Sequence, residues 1–202
     1  MRIDNDGVFF GFGVPLARFE GLAKEFAQKN PKTLEVEARG RRLLASCFPE
    51  MDIGNFVRAV CAWGGYDGIA GRILRRNSAV QLRAALQEAS SHITSETPNL
   101  PAALATLNKL SGLGAPSFAS KHLRFLFPEY CPVFDSILQQ ALPYSFDPRG
   151  YGEFARDCCT LAKELSQRAI ISPWPERNGV WLAADAEVAL YTYVLEISEN
   201  EG

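Results

Sequence analysis

Apolar residues recur at every third or fourth position along most of the chain, which is the period of an α-helix. The clearest example is the segment 14–29, where Leu16, Phe19, Leu22 and Phe26 fall on one face. The same period predicts further helices over 34–46, 53–63, 67–76, 79–93, 101–111, 118–127, 133–142, 151–169 and 182–197. We therefore expect an all-α protein of nine or ten helices.

The residues between these segments are typical of helix ends. Gly64 and Gly65 interrupt one apolar repeat, and Ser78 suits the N-cap of the next helix. The glycine-rich stretch FFGFGVP, residues 9–15, lacks the lysine-containing end of a phosphate loop, so we interpret it as aromatic packing. No convincing set of alternating apolar and polar residues predicts a β-sheet.

Composition narrows the class of protein. Apolar residues make up 47% of the chain and charged residues 22%, as in ordinary soluble proteins. The net charge of −2 argues against a protein that coats nucleic acid non-specifically, although Arg72, Arg75 and Arg76 form a local basic cluster. No repeat or linker divides the 202 residues, which predicts a single unit.

The expected cellular location is inferred from sequence features that we do not find. No apolar run approaches the roughly 20 residues of a membrane span, so no membrane partner is expected. The first residues do not have the pattern of a signal peptide. Five cysteines, an odd number, and two histidines predict reduced thiols in a cytoplasmic protein without a structural metal.

Residues 107–138, LNKLSGLGAPSFASKHLRFLFPEYCPVFDSIL, contain the most distinctive motif. The leucines of its L-x-x-L-x-G-L-G pattern allow two helices to pack together. Gly112 and Gly114 allow a tight turn with bare N–H groups, and Pro116 suits the start of the second helix. Such a hairpin either binds a phosphate at the helix N-terminus or is a plain helical corner.

The residues after the hairpin resemble a known superfamily. Asp135 lies 21 residues beyond Gly114 and follows a short apolar stretch, PVF. This layout resembles the helix–hairpin–helix DNA glycosylases. It is most similar to the bacterial 8-oxoguanine-glycosylase-like proteins of antiphage loci of the CBASS type. The strings AVCAWGG, FASKHLRFLFP, PVFDS and AADAEVALY carry the resemblance, over roughly residues 55–190.

The resemblance implies a fold and a reaction. The fold would be two helical lobes around a cleft, one over roughly 50–145 with the hairpin at 107–127, the other from 1–49 and 146–202. The carboxylate of Asp135 would assist cleavage of the N-glycosidic bond of an 8-oxoguanine-type base flipped out of DNA. Implied partners are DNA, or a related nucleic acid, and proteins encoded in a defence locus.

One position departs from the pattern of the strand-cleaving relatives. These carry a lysine two residues after the second glycine, where this chain has Pro116. Lys121 lies one helical turn beyond Ser117, on the same face, and is the second catalytic candidate. Strand cleavage is therefore less well supported than hydrolysis.

The remaining candidates have narrower roles. Gly112, Gly114, Ser117, His122 and Arg124 are candidates for contacts with a nucleic-acid backbone. The resemblance also implies a monovalent cation at the hairpin, but no other cofactor. Trp63 and Tyr66 are candidates for the walls of a base pocket.

Several alternatives stay open from sequence. Asp135 suits the N-cap of the following helix, a role compatible with catalysis. Asp185 and Glu187 suit the dipole at the start of the last helix, and Asp185 is also a candidate for the cleft. The whole chain fits two rival functions: an inactive module that binds nucleic acid or protein, and an enzyme acting on a free modified base or nucleotide.

Overall fold

The computed structural model describes residues 1–114 and 116–200. Over these residues the chain forms three short strands followed by ten α-helices. The strands are β1 (Arg2–Ile3), β2 (Gly7–Phe9) and β3 (Gly13–Pro15). The helices are α1 (Phe19–Lys29), α2 (Thr33–Ala45), α3 (Glu50–Trp63), α4 (Asp67–Arg76), α5 (Ala79–Thr94), α6 (Leu100–Asn108), α7 (Ser117–Leu126), α8 (Ser136–Ala141), α9 (Pro148–Gln167) and α10 (Ala183–Asn200). The prediction of a mostly helical protein is confirmed.

The N-terminal sheet corrects the expectation that no sheet would form. Its strands pair in the order β1–β2–β3, all antiparallel, with Val8 opposite Val14. Strands of two or three residues are too short to display an alternating pattern in the sequence. The aromatic packing predicted here is confirmed, because Phe12 stacks on Tyr193 of α10 with 5.9 Å between the ring centroids.

The helices begin where the sequence supplies capping side chains. Ser78 forms a capping box at the start of α5, in which its hydroxyl accepts from the Gln81 N–H and the Gln81 side chain accepts from the Ser78 N–H. Asp147 accepts from the Gly150 N–H to cap α9. Such caps satisfy N–H groups that have no partner within a helix.

Helix α7 lies at the centre of the molecule. Every residue from Phe118 to Leu126 is buried. α7 packs against α2, α3 and α6, while α10 packs against α1, α8 and α9. Buried apolar side chains from both ends of the chain, from Val8 to Val194, form one connected core.

A cluster of buried charges joins α7 to three other segments of the chain. Glu37 of α2 accepts hydrogen bonds from Arg124 of α7 at 2.7 Å and from Arg177 at 2.8 Å. Arg177 also donates to Asp185 of α10 at 2.9 Å. Within this cluster two guanidinium groups match two carboxylates, as buried charges require.

Among the described residues, no helix combines the length and apolar character needed to cross a membrane.

The contact between α2 and α7 depends on the absence of a side chain at Gly40. A Cβ added there would overlap the carbonyl oxygen of Phe125. We therefore expect Gly40→Ala to lower the free energy of unfolding by about 3 kcal/mol, in the range of overpacked core sites. Denaturant unfolding followed by circular dichroism would measure the change.

Gly21 of α1 is the matched control, since a Cβ there meets no atom within 4 Å. Gly21→Ala should raise the free energy of unfolding by about 0.5–1 kcal/mol, because alanine favours the helix. Equal effects of the two substitutions would show that α2 does not approach α7 as closely as described.

Candidate active site

The glycine-rich hairpin connects α6 to α7 through two backbone conformations that suit glycine. Gly112 has φ of +83° and Gly114 has φ of +77°. Helix α6 ends at Asn108 and α7 begins at Ser117, so two helices flank the glycine-rich stretch, as the pattern predicted. Ala115, within the same stretch, lies outside the described residues.

Helix α4 holds this hairpin in place. The Asn77 side chain donates to the Ser111 carbonyl at 2.9 Å and accepts from the Ser111 N–H at 3.1 Å. Arg72 donates from Nε to the carbonyl of Gly112 at 3.1 Å. Arg75 and Arg76, at the end of α4, are exposed. The predicted basic cluster therefore lies beside the hairpin.

A cavity of about 530 Å³ opens next to the start of α7. Its volume falls within the usual range of ligand sites, about 300–1,000 Å³. It gathers side chains from α1, α3, α7, α10 and the segment before α8. Five residues predicted from sequence line it: Trp63, Tyr66, Ser117, Lys121 and Asp135.

Lys121 projects along α7 toward the N-terminus of the helix. Side chains of a helix lean in that direction, so its amine reaches back one turn and donates to the Ser117 hydroxyl at 2.9 Å. The lysine stem passes over Gly64, where an added Cβ would lie 3.1 Å from its Cδ. A lysine one turn into the helix thus places its amine at the helix start.

The Lys121 amine is shielded from water. Its side chain is 9% exposed, and the Nζ lies 5.1 Å from the centre of the Phe118 ring. Burial lowers the pKa of Lys121, while the carboxylates of Asp135 and Glu187 act in the opposite direction. Because of this lower pKa, the amine loses its proton more easily than a lysine on the surface does, and the neutral amine is a nucleophile.

Asp135 combines the two roles considered for it from sequence. Its Oδ1 accepts from the N–H groups of Ile137 and Leu138, at 3.1 and 3.2 Å, and so caps α8. Its Oδ2 lies 3.7 Å from the Nζ of Lys121. The residues before it, from Cys131 to Phe134, are buried and extended rather than helical, which corrects the predicted start of this helix.

Glu187 is a second carboxylate in the cavity, and the sequence prediction missed it. It belongs to α10, is 2% exposed, and accepts from the Val133 N–H at 3.1 Å. Desolvation raises the pKa of Glu187 to about 8, although Arg124 and the Val133 N–H oppose the shift. The expected cleft residue, Asp185, lies instead in the buried charge cluster.

The only feature of the sequence that could have marked Glu187 as a site residue is that it is an acid within an apolar helical stretch. It could not separate Asp185 from Glu187, because both lie in AADAEVALY, whose first eight residues are all buried. The difference is a distant partner: Arg177 pairs with Asp185, whereas Glu187 faces the cavity.

Aromatic rings form much of the cavity wall. Trp63 donates from Nε1 to the Thr33 hydroxyl at 3.0 Å, and its ring meets Phe125 edge-on at 4.8 Å. Tyr66, at the mouth, is 67% exposed and meets the Phe118 ring edge-on at 6.4 Å. Tyr191, one turn after Glu187, completes this side. Flat ligands can stack on such a surface.

The mouth of the cavity is asymmetric in charge. On the side formed by α1 and α10 it carries Glu25, Glu196 and Glu199, of which Glu25 pairs with Lys29 at 2.7 Å and Glu196 with Arg18 at 2.8 Å. The hairpin side carries the exposed arginines of α4. A polyanion would be attracted toward the hairpin side, where the arginines of α4 are exposed.

Two of the predicted backbone contacts are wrong. Arg124 is 0% exposed and bonded to Glu37 in the charge cluster. His122 is 2% exposed, and its Nδ1 lies 2.6 Å from the Phe118 carbonyl oxygen. Burial lowers the pKa of His122 to about 4, so it is neutral at physiological pH. Neither side chain reaches a ligand at the surface.

The remaining backbone candidates divide between the hairpin and the cavity. Ser117 lines the cavity and accepts from Lys121, whereas Gly112 and Gly114 form the turn. The Gly112 carbonyl already accepts from a positive guanidinium, that of Arg72. This oxygen does not fit a cation site, because a bound cation would be repelled by Arg72. We derive no step through a hairpin cation.

Comparison of the chain with the models of known protein families, with curated proteins and with solved structures gives no match. The chemical interpretation of the cavity therefore rests on the residues and their geometry.

Proposed function

We propose that the protein is a DNA glycosylase of the helix–hairpin–helix type, with two lobes around the cavity, that removes a modified base from nucleic acid. The observation that carries the proposal is the 3.7 Å approach of the Lys121 amine to the Asp135 carboxylate inside an aromatic-walled cavity. The glycine hairpin beside them supports the proposal, because a hairpin followed by an aspartate is the layout on which the resemblance to the helix–hairpin–helix glycosylases rests.

Asp135 has the environment that the reaction needs. Cleavage of an N-glycosidic bond builds positive charge on the sugar, which a nearby carboxylate stabilises. Lys121 at 3.7 Å and the two N–H groups at the start of α8 hold the Asp135 side chain in one position. Asp135 therefore places its carboxyl group where the sugar of a bound nucleotide would lie.

The rest of the site suits a flipped-out base. Trp63 and Tyr191 offer rings on which a base can stack, and Tyr66 lies exposed at the entrance. The hairpin N–H groups and the arginines of α4 would hold the backbone on one side. An 8-oxoguanine-type substrate and a cytoplasmic role in antiphage defence rest on the resemblance alone.

Replacing Asp135 by asparagine should slow base release strongly while leaving the fold intact. Asparagine still caps a helix, so Asp135→Asn changes the charge and little else. We expect the rate to fall by about 10²–10³-fold, the usual cost of losing one electrostatic stabiliser. The assay measures base release from oligonucleotides carrying 8-oxoguanine, hypoxanthine, uracil or an alkylated purine, single-stranded and duplex.

Asp147→Asn is the matched control, since Asp147 caps α9 outside the cavity. This variant should release base at the native rate. A native protein that releases none of these bases, or an Asp135→Asn variant that releases base as fast as the native protein, would contradict the proposal.

A second activity, strand cleavage, is favoured by the burial of the Lys121 amine. The neutral amine displaces the base at C1′ and loses a proton to the departing base or to solvent. The sugar ring then opens at the C1′–O4′ bond to give a Schiff base, which borohydride reduces to a stable adduct. We expect a trapped protein–DNA adduct with the native protein and with Lys29→Gln, but none with Lys121→Gln. Gel electrophoresis detects the adduct. Base release without any adduct would show that the enzyme is purely hydrolytic.

A further inference from the structure

Two carboxylates face the cavity in opposite environments. Asp135 lies 3.7 Å from a lysine amine and accepts two backbone N–H groups. Glu187 is bonded to one backbone N–H and is surrounded by buried side chains of α10. Two acids with such different contacts are typical of enzymes that use a pair of carboxyl groups for separate steps.

We propose that Glu187 is the general acid of the site, which holds a proton and donates it to the base as the bond to C1′ breaks. This inference rests on the proposed function and adds a third catalytic residue to it. It assigns a substrate class as well: the base must present a hydrogen-bond acceptor, a ring nitrogen or carbonyl oxygen, toward the floor of the cavity.

The position of Glu187 supports this role. It lies one turn before Tyr191, so a base stacked on that ring has its edge near the carboxyl group. The buried extended segment 131–135 links the two acids, because the Val133 N–H binds Glu187 while Asp135, two residues on, faces Lys121. One stretch of backbone thus positions both acids. Glu187 lies deep in the cavity, where the edge of the base would be, and Asp135 lies where the sugar would be.

The charged and titratable groups around Glu187 come from four parts of the fold. Arg124 and Lys121 approach from α7, and both favour its ionised form. Asp135 precedes α8 and disfavours a second negative charge. Cys158 of α9 and Tyr191 of α10 interact with it as well. Desolvation outweighs the two cations, so the proton is retained at neutral pH.

The reaction balances with these groups. The C1′–N bond breaks and leaves its electron pair on the base, which takes the proton of Glu187. Water adds its oxygen to C1′, and its excess proton passes to Asp135 and then to solvent. Glu187 is left as a carboxylate and regains a proton from solvent, so the products are the free base and a sugar hydroxyl.

The test uses Glu187→Gln, which keeps an oxygen for the Val133 N–H but has no acidic proton. Native activity should fall as pH rises through about 8, because the acid form of Glu187 is then lost. The variant should be slower by about 10²-fold or more at pH 7 and should lack this alkaline decline. Glu164→Gln, a change at a half-buried residue of α9 that pairs with Arg168 outside the cavity, should behave as the native protein does.

A leaving-group series separates proton donation from simple hydrogen bonding. The substrates are the oligonucleotide that the native protein cleaves and the same strand with an electron-withdrawing substituent on that base. Such a base leaves as a stable anion, so the defect of Glu187→Gln should shrink. A constant defect would overturn the inference, since an amide that merely lost a binding contact would slow both substrates equally.

Nuclear magnetic resonance of ¹³C-labelled glutamate tests the protonation state directly. One side-chain carboxyl resonance, absent in Glu187→Gln, should titrate with a midpoint near 8. Titration near the ordinary glutamate value of about 4.3 would overturn the inference, even if Asp135→Asn is inactive. A native protein inactive on every oligonucleotide would instead overturn the glycosylase proposal, and this inference with it.

Discussion

The position of the cavity depends on the carboxylate of Glu37, where two buried guanidinium groups meet. Arg124 reaches it from α7 at 2.7 Å and Arg177 from the loop before α10 at 2.8 Å. Buried ion pairs add little net stability, because desolvation offsets the attraction, but a lost partner strands a charge in the core. The charge cluster therefore ties α7 and α10, the helices that carry Lys121 and Glu187, to α2. Gly40 of α2, against the Phe125 carbonyl, enforces the same approach sterically.

The packing of α7 and α10 around α2 determines where the charged groups lie within the cavity. α7 places an amine at the helix start, and the extended segment before α8 places Asp135 beside it. α10 places Glu187 deeper, near Arg124 but not bonded to it in the described contacts. An amine and two carboxyl groups thus occupy one space, and among the described residues Asp135, but not Glu187, has a cationic group within 4 Å. In the proposed reaction the Lys121–Asp135 pair and the buried acid would serve different steps of a single bond cleavage.

The sequence predicted the local elements well and the distant partners poorly. All ten predicted helices are present, because a repeat of three or four residues persists over each of them. Asp135, Lys121, Trp63 and Tyr66 were predicted, and all four line the cavity. Arg124 was assigned to the surface because its partner, Glu37, lies 87 residues earlier and no local pattern connects them. Glu187 was overlooked for the same reason: its neighbours along the chain do not reveal that it faces a cavity.

We propose that Asp135, Lys121 and Glu187 act together on one flipped-out base. A crystal structure of the Asp135→Asn variant with a base-modified oligonucleotide would test this. We expect the base to lie between Trp63 and Tyr191, with its edge at Glu187 and C1′ about 3–3.5 Å from the Lys121 amine or an ordered water. The backbone should follow the hairpin and the end of α4. A strand bound elsewhere, or a phosphate rather than a base beside Glu187, would contradict it.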